Sequence, residues 1–170
     1  MKIMTEKHLR GFSLLEVLLA LVILAIGMLG IARLLIVAHK SNSSNHIRQQ
    51  AIQSAYNIVD RIHANRQAAI SGNYNISDLV ANGAPTRPSA PSVNCVSSSC
   101  TASQLATYDT WYWLTSDVTQ LPNGCGSVST SVSGVNTLVT VTVQWDDSPA
   151  QQALGGTNPS PSQFIVKSQL

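Results

Sequence analysis

Gly11-Phe12-Ser13-Leu14-Leu15-Glu16-Val17-Leu18-Leu19-Ala20 opens a run in which, as far as Ala38, the only strongly polar side chains are Ser13, Glu16 and Arg33. The run is longer than the roughly 20 residues that carry a helix across a bilayer's hydrocarbon core. It is apolar all round, as a helix surrounded by lipid or by similar helices should be. Ahead of it, Lys2, Lys7 and Arg10 outweigh Glu6. Positive charge flanking a first span tends to stay cytoplasmic, so the remainder is expected outside the cytoplasm, in the periplasm or beyond.

Glu16 is the physically odd residue. An acid inside an apolar span costs on the order of 3 kcal/mol at mid-membrane by insertion scales, which makes it a functional candidate by default. An ordinary secretory signal peptide has no acid in its apolar core and ends at a small-residue cleavage site, so Glu16 counts against that reading. Arg33 reads as a residue snorkelling to the interface. Gly27 and Gly30 either allow close backbone approach in a packed bundle or are simply tolerated in lipid.

Beyond Lys40 the pattern changes. Ile47, Ala51, Ile52, Ala55, Ile58, Val59 and Ile62 recur at three- and four-residue steps, which predicts an amphipathic helix through about Ala69. The polar stretch from Lys40 to Asn45 argues for a local break, because Ser and Asn compete for backbone hydrogen bonds. A single helix from Phe12 to Ala69 would be roughly 87 Å long, so its second half must pack on something other than membrane.

Ser71 to Pro91, with Gly72, Gly83, Pro85, Pro88 and Pro91, has loop composition. Thr101 and Gln104 form a capping-box pattern, and Leu105, Trp111, Leu114, Val118 and Leu121 predict a second helix ending before Pro122-Asn123-Gly124. In Thr137 to Trp145, Val139, Val141, Val143 and Trp145 occupy one face of a strand and Thr140, Thr142 and Gln144 the other. Val128 and Val132, with turn chemistry from Gly134 and Asn136, supply the hairpin partner. Phe164 to Val166 adds a third strand, and Ser148 to Pro161 reads as loop. The expected fold is α+β, a long N-terminal helix whose outer half covers an antiparallel sheet of three or four strands.

The whole chain carries +2, but from residue 39 onward Lys40, Arg48, Arg61, Arg66, Arg87 and Lys167 balance Asp60, Asp78, Asp109, Asp117, Asp146 and Asp147. No clustered basic footprint is present, so no nucleic acid is expected as a partner. Cys95, Cys100 and Cys125 all fall in the part assigned to an oxidising compartment. Three allow one internal bridge, with Cys95–Cys100 the first choice and Cys100–Cys125 the alternative. No His stands at ligand spacing to complete a zinc site, and neither metal nor cofactor is expected. Asp60 and Arg61 read as a solvated helix face, and Asp146-Asp147 as a turn.

Gly11-Phe12-Ser13-Leu14-Leu15-Glu16-Val17, with basic residues before and an apolar run after, resembles the prepilin signal of type IV pilins and type II secretion pseudopilins. The resemblance implies a leader of residues 1–11, a membrane and filament-core helix over 12–38, and a pilin-like globular domain over 39–170. It implies cleavage after Gly11 by a prepilin peptidase that also methylates Phe12, and pairing of Glu16 with the N-terminal amine of a neighbouring subunit. A helix-kinking proline common in pilins is absent from this chain.

Four later stretches resemble the minor-pilin family called type IV pilus modification protein, PilV. They are Ala55 to Arg66, Ser71-Gly72-Asn73-Tyr74, Leu121 to Val128 and Val141 to Asp147. That resemblance implies a subunit that primes pilus assembly in a tip complex and supports adhesion and twitching motility. Its partners would be other minor pilins, the major pilin, the inner-membrane assembly platform and inner-membrane lipid. A minor pseudopilin of type II secretion is the alternative, and an anchored adhesin domain, binding through 71–100 and 148–161, a second. An enzyme is not expected, because there is no nucleophile elbow, no metal-spaced set among His8, His39, His46 and His63, and no paired carboxylates in an apolar setting.

Overall fold

The computed structural model describes residues 11–79, 85–133, 136–157 and 160–170. Residues 1–10 of the expected leader, Gly83 and the Gly134 turn lie outside the described residues. By internal packing the chain divides into two units, one up to His39 and one from Lys40 to Leu170.

Helix α1 runs Leu14–Ala64. In the first unit it is an apolar rod: every residue from Gly11 to Ile36 is exposed, and the stretch is long and apolar enough to cross a membrane. In the second unit it turns amphipathic, burying Ala51, Ser54, Ala55, Ile58, Val59 and Ile62. The expected break at Lys40 to Asn45 does not form. Ser41, Ser44, Ile47 and Gln50 are half-buried at every third position, and the Ser44 hydroxyl donates to Asp147 Oδ2 at 2.8 Å. Here the serine hydroxyl has a distant carboxylate to bond, so it no longer competes for the local backbone.

The helix ends earlier than its periodicity predicts. Asn65 interrupts it, and the separate short helix α2, Arg66–Ile70, comes next. Asn65 sends its amide into the fold, donating to Ala102 O at 2.7 Å and to the Tyr74 hydroxyl at 3.2 Å.

The second unit holds a four-stranded antiparallel sheet in the order β1-β2-β3-β4. The strands are β1 (Ile76–Ser77), β2 (Cys125–Ser133), β3 (Asn136–Trp145) and β4 (Ser162–Gln169). Cys125 lies opposite Gln144 and Ser133 opposite Asn136; across the next ladder Leu138 faces Gln169 and Trp145 faces Ser162. This register points Val139, Val141, Val143 and Trp145 inward together, as the alternation predicts. Strand β1 is two residues long, too short for a period-2 signal, and it falls in the stretch read as loop.

The second helix begins at the expected cap. Thr101 Oγ1 accepts from Gln104 N and the Gln104 side chain accepts from Thr101 N, opening α3, Ala102–Tyr112. The chain then widens into a π turn over Trp113–Asp117 and tightens into a 3₁₀ turn over Val118–Gln120. That change of pitch alters the buried set. Leu105 is exposed and Trp111 half-buried, whereas Trp113, fully buried, takes the central place with Leu114, Val118 and Leu121. A uniform 3.6-residue period cannot foresee a π turn, which inserts a residue and rotates every side chain after it.

Ser148 to Pro161 contains a short helix, α4 (Ser148–Ala153), where loop is expected. Asp146 Oδ1 accepts from Ser148 N and from the Ser148 hydroxyl, and Pro149 occupies the first turn, where a missing N–H costs nothing. Gly155, at φ +92°, turns the chain out of it.

Candidate functional site

At the start of the described chain, Gly11, Phe12 and Ser13 precede α1, and the Ser13 carbonyl accepts from Glu16 N at 3.0 Å and Val17 N at 3.2 Å. Glu16 therefore lies in the first helical turn, where the free N–H groups favour a negative charge. Phe12, Glu16, Val17, Ala20, Leu21 and Leu24 line one open groove on the helix. Phe12 is exposed over 83% of its surface, and no ion pair to Glu16 forms among the described residues. A carboxylate, an aromatic ring and an aliphatic stripe thus share one helix face with no covering layer in this unit.

Two polar centres in the second unit are each built on a buried aspartate. In one, Asp109 accepts from Arg61 Nη1 at 3.0 Å through Oδ1 and from the Tyr74 hydroxyl at 2.8 Å through Oδ2. The Arg61 Nε donates to Asn57 Oδ1 at 2.9 Å, and its guanidinium lies 5.0 Å from the Tyr112 ring centroid. Burial, and then the hydrogen bond to Asp109, push the Tyr74 hydroxyl well above the ordinary tyrosine range. Arg61 is consequently more than part of a solvated helix face, the expectation for it, whereas Asp60 is exposed.

In the other centre, Arg87 Nη1 pairs with Asp78 Oδ2 at 2.8 Å, and Nη2 donates to Gly124 O at 2.5 Å. Burial raises the Asp78 pKa, opposed by the charge of Arg87. The pair ties the chain after β1 to the turn before β2, where Asn123 takes φ +47°. These contacts hold the fold and offer no reacting constellation.

Cys95 and Cys100 are joined by a disulfide with Cα atoms 5.5 Å apart. Cys125 is buried at the start of β2, its Sγ 3.4 Å from Asn123 O. Asp146 and Asp147 cap and brace the α4 turn, and the Ser148 hydroxyl and N–H hold Asp146 below the ordinary carboxylate range.

Sequence reasoning missed Ser54, Asn65, Asp78 and Asp109, all buried polar residues. A signal existed for two of them. Ser54 lies on the stripe of α1 that holds Ala51, Ala55, Ile58 and Ile62, and Asn65 continues its sequence periodicity just past the helix end; a polar side chain on an apolar stripe implies a dedicated partner. Asp78 and Asp109 find theirs across the fold, which no local spacing reveals.

An apolar, exposed helical segment that continues as the spine of a small α+β domain with an antiparallel four-stranded sheet is a type IV pilin-like fold. The chain matches the Prokaryotic N-terminal methylation motif over residues 7–32 and the family Type IV pilin Tt1218 over residues 34–111. Together the two matches support a type IV pilin, a structural protein, and the motif implies processing by a prepilin peptidase and assembly with other pilins. Motif and apolar helix together fit membrane anchoring. No curated protein and no solved structure matches the chain.

Proposed function

We propose that this chain is a minor pilin of the PilV type, which helps prime type IV pilus assembly within a tip complex and so supports adhesion and twitching motility. The observation that carries this reading is the methylation motif with Glu16 in the first turn of a helix that is apolar and exposed as far as Ile36. The leader is removed after Gly11 and Phe12 becomes the methylated N-terminus. Residues 12–38 then hold the subunit in the inner membrane, with the domain from residue 39 in the periplasm until the helix is drawn into the filament.

Once Phe12 is terminal, its amine is positive and Glu16 lies roughly 6 Å away along the axis. The two charges on one subunit are offset in a way that suits pairing between subunits: Glu16 of one meets the amine of another during docking. Such a pair stabilises mainly because it removes an otherwise unpaired charge from an apolar setting. The four later stretches that resemble PilV support the choice of minor pilin; other minor pilins, the major pilin and the assembly platform are the partners.

The test is the mass of the mature N-terminal peptide from cells with and without the prepilin peptidase. A methylated Phe12 terminus that depends on the peptidase is the expected result. Retention of Met1, or a terminus near Ala38, would overturn the reading. Deletion then separates pilus from secretion: loss of pili is expected, and loss of protein secretion with pili intact would assign the chain to a secretion system instead.

A further inference from the structure

On the second unit, a cleft of about 260 Å³ opens beside the outer half of α1, lined by Gln50, Gln53, Ser54, Asn57, Asp117 and Gln120. Its floor is fixed. Trp113 Nε1 donates to both Ser54 O and Ser54 Oγ at 2.9 Å, which locks the helix to the π turn that carries Asp117.

The hydrogen-bonding state of the lining is uneven. Gln120 Nε2 already donates to Ser116 O at 3.1 Å, which leaves its carbonyl as the unused group. Asn57 Oδ1 is taken by Arg61 Nε, which leaves its amide N–H groups. The Asp117 side chain is half-buried, and its buried Oδ2 has no hydrogen-bond partner among the described residues. Arg61 is the cation whose field reaches Asp117, but its guanidinium is committed to Asp109, Asn57 and the Tyr112 ring. The half-buried carboxylate thus keeps one oxygen out of water with no donor supplied among the described residues, an arrangement that favours an incoming partner.

We infer that this cleft receives an arginine side chain from a neighbouring pilin subunit, its guanidinium bound by the Asp117 carboxylate and the Gln120 carbonyl. The chemistry selects the occupant. A hard divalent cation wants six or more oxygens and usually several carboxylates, and the cleft has one. A planar guanidinium offers five donors in a fixed fork and loses less hydration than an ammonium, which suits one carboxylate surrounded by amide carbonyls. Asp117 is the last residue of the π turn and lines the cleft together with the α1 residues Gln50, Gln53 and Asn57. The inference rests on the pilin reading for the source of the arginine, though not for the chemistry of the cleft.

Two arms test it on the full chain. In detergent micelles, N-acetyl-arginine methylamide is titrated while the side-chain amide resonances of Gln50, Gln53 and Gln120 are followed, with the neutral citrulline counterpart as control. Saturable shifts are expected, at least about tenfold weaker for citrulline, with the preference abolished in Asp117→Asn. An unchanged Trp113 indole N–H resonance shows that the variant is folded. Equal binding of the two probes, a preference that survives Asp117→Asn, or no response of these amides would overturn the inference.

In cells, a photo-crosslinker at Gln53 should capture a pilin peptide containing arginine, and the yield should fall at least about tenfold with Asp117→Asn and recover with Asp117→Glu. Capture of peptides without arginine, or a yield indifferent to Asp117, would overturn it. Failure of N-terminal processing would sink the pilin reading yet leave the titration standing, so the two failures are distinguishable.

Discussion

The two halves of α1 share a backbone geometry and differ in what their side chains expect around them. From Phe12 to Ile36 the residues are mostly large and aliphatic, and all are exposed. From Ala51 to Ile62 six residues are buried, and two of the tightest, Ala51 and Ala55, are small. A helix that is apolar on every side has no preferred direction of packing and needs an apolar surround, whether lipid or other helices. A helix with one apolar stripe has a single preferred direction, and Ala51 and Ala55 on that stripe are fully buried in the core of the second unit. The first half is thus a surface awaiting an environment, and the second is part of a core already made.

That contrast is most severely tested at Trp113, which is fully buried and reaches back to Ser54 on α1. Trp113→Ala should destabilise the second unit by about 3–5 kcal/mol, through the cavity and the partner lost to Ser54. Leu24→Ala in the first half should change the same denaturant transition by less than about 0.5 kcal/mol. Chemical denaturation of the full chain in detergent, followed by near-ultraviolet circular dichroism, reads both. Comparable losses would mean that the halves do not differ as described.

Two glycines sharpen the comparison. A Cβ at Gly126 would stand 2.5 Å from Trp113 Cη2 and 2.9 Å from Leu114 Cδ2, so Gly126→Ala should cost about 1–3 kcal/mol by overpacking. At Gly27 nothing lies within 4 Å, and Gly27→Ala should leave that transition unmoved while raising helicity in isolated subunits. If Gly27→Ala nonetheless blocks incorporation into filaments, the first half packs closely there only in the assembly.

The polar centre behind α1 ranks next. Asp109→Asn removes the charge that pairs Arg61 and accepts from Tyr74, and about 1–3 kcal/mol should be lost from the same transition. Thr101→Ala, which dismantles the capping box of α3, should cost about 1 kcal/mol. A Thr101→Ser variant that keeps the hydroxyl should recover most of it.

Legibility in the sequence divides along the same line. The apolar run, the stripe from Ala51 to Ile62, the capping box at Thr101 and the alternation of β3 are local patterns, and the fold class emerges from them. Strand β1 and the π turn were not legible, because the one is decided by a partner far along the chain and the other by one inserted residue, whereas α4 had a local signal in Asp146, Ser148 and Pro149 that the loop reading passed over. The helix through Lys40 to Asn45 survives for a similar reason: Ser44 bonds Asp147, more than a hundred residues away. At the N-terminus Gly11, Phe12 and Glu16 could be picked out from the motif alone. The roles proposed for them involve groups outside the chain, so the motif says more about them than the geometry of a lone subunit does.

The smallest expected effect separates two acids by sign. Burial raises the Asp117 pKa in the fold above its ordinary 3.8, opposed by the field of Arg61, so folding favours the protonated form. The stability this group contributes is fully present below pH 3.8 and is lost as pH rises through the raised value. Asp146 is the reverse. Hydrogen bonds from Ser148 lower its pKa below 3.8, so its contribution is present above pH 3.8 and is lost as pH falls through the lowered value. The windows lie on opposite sides of one pH. Asp117→Asn should therefore flatten a decline in stability that begins above pH 3.8, and Asp146→Asn a decline below it. Denaturation midpoints of the full chain across that range, with hydrogen exchange of Ala51 to Ile62, would show both. Exchange in the second half of α1 should track the titrations, since its stripe lies in the same unit as these acids, and a variant whose slope changes on the wrong side of pH 3.8 would show that the burial of Asp117 or the capping by Asp146 has been misread.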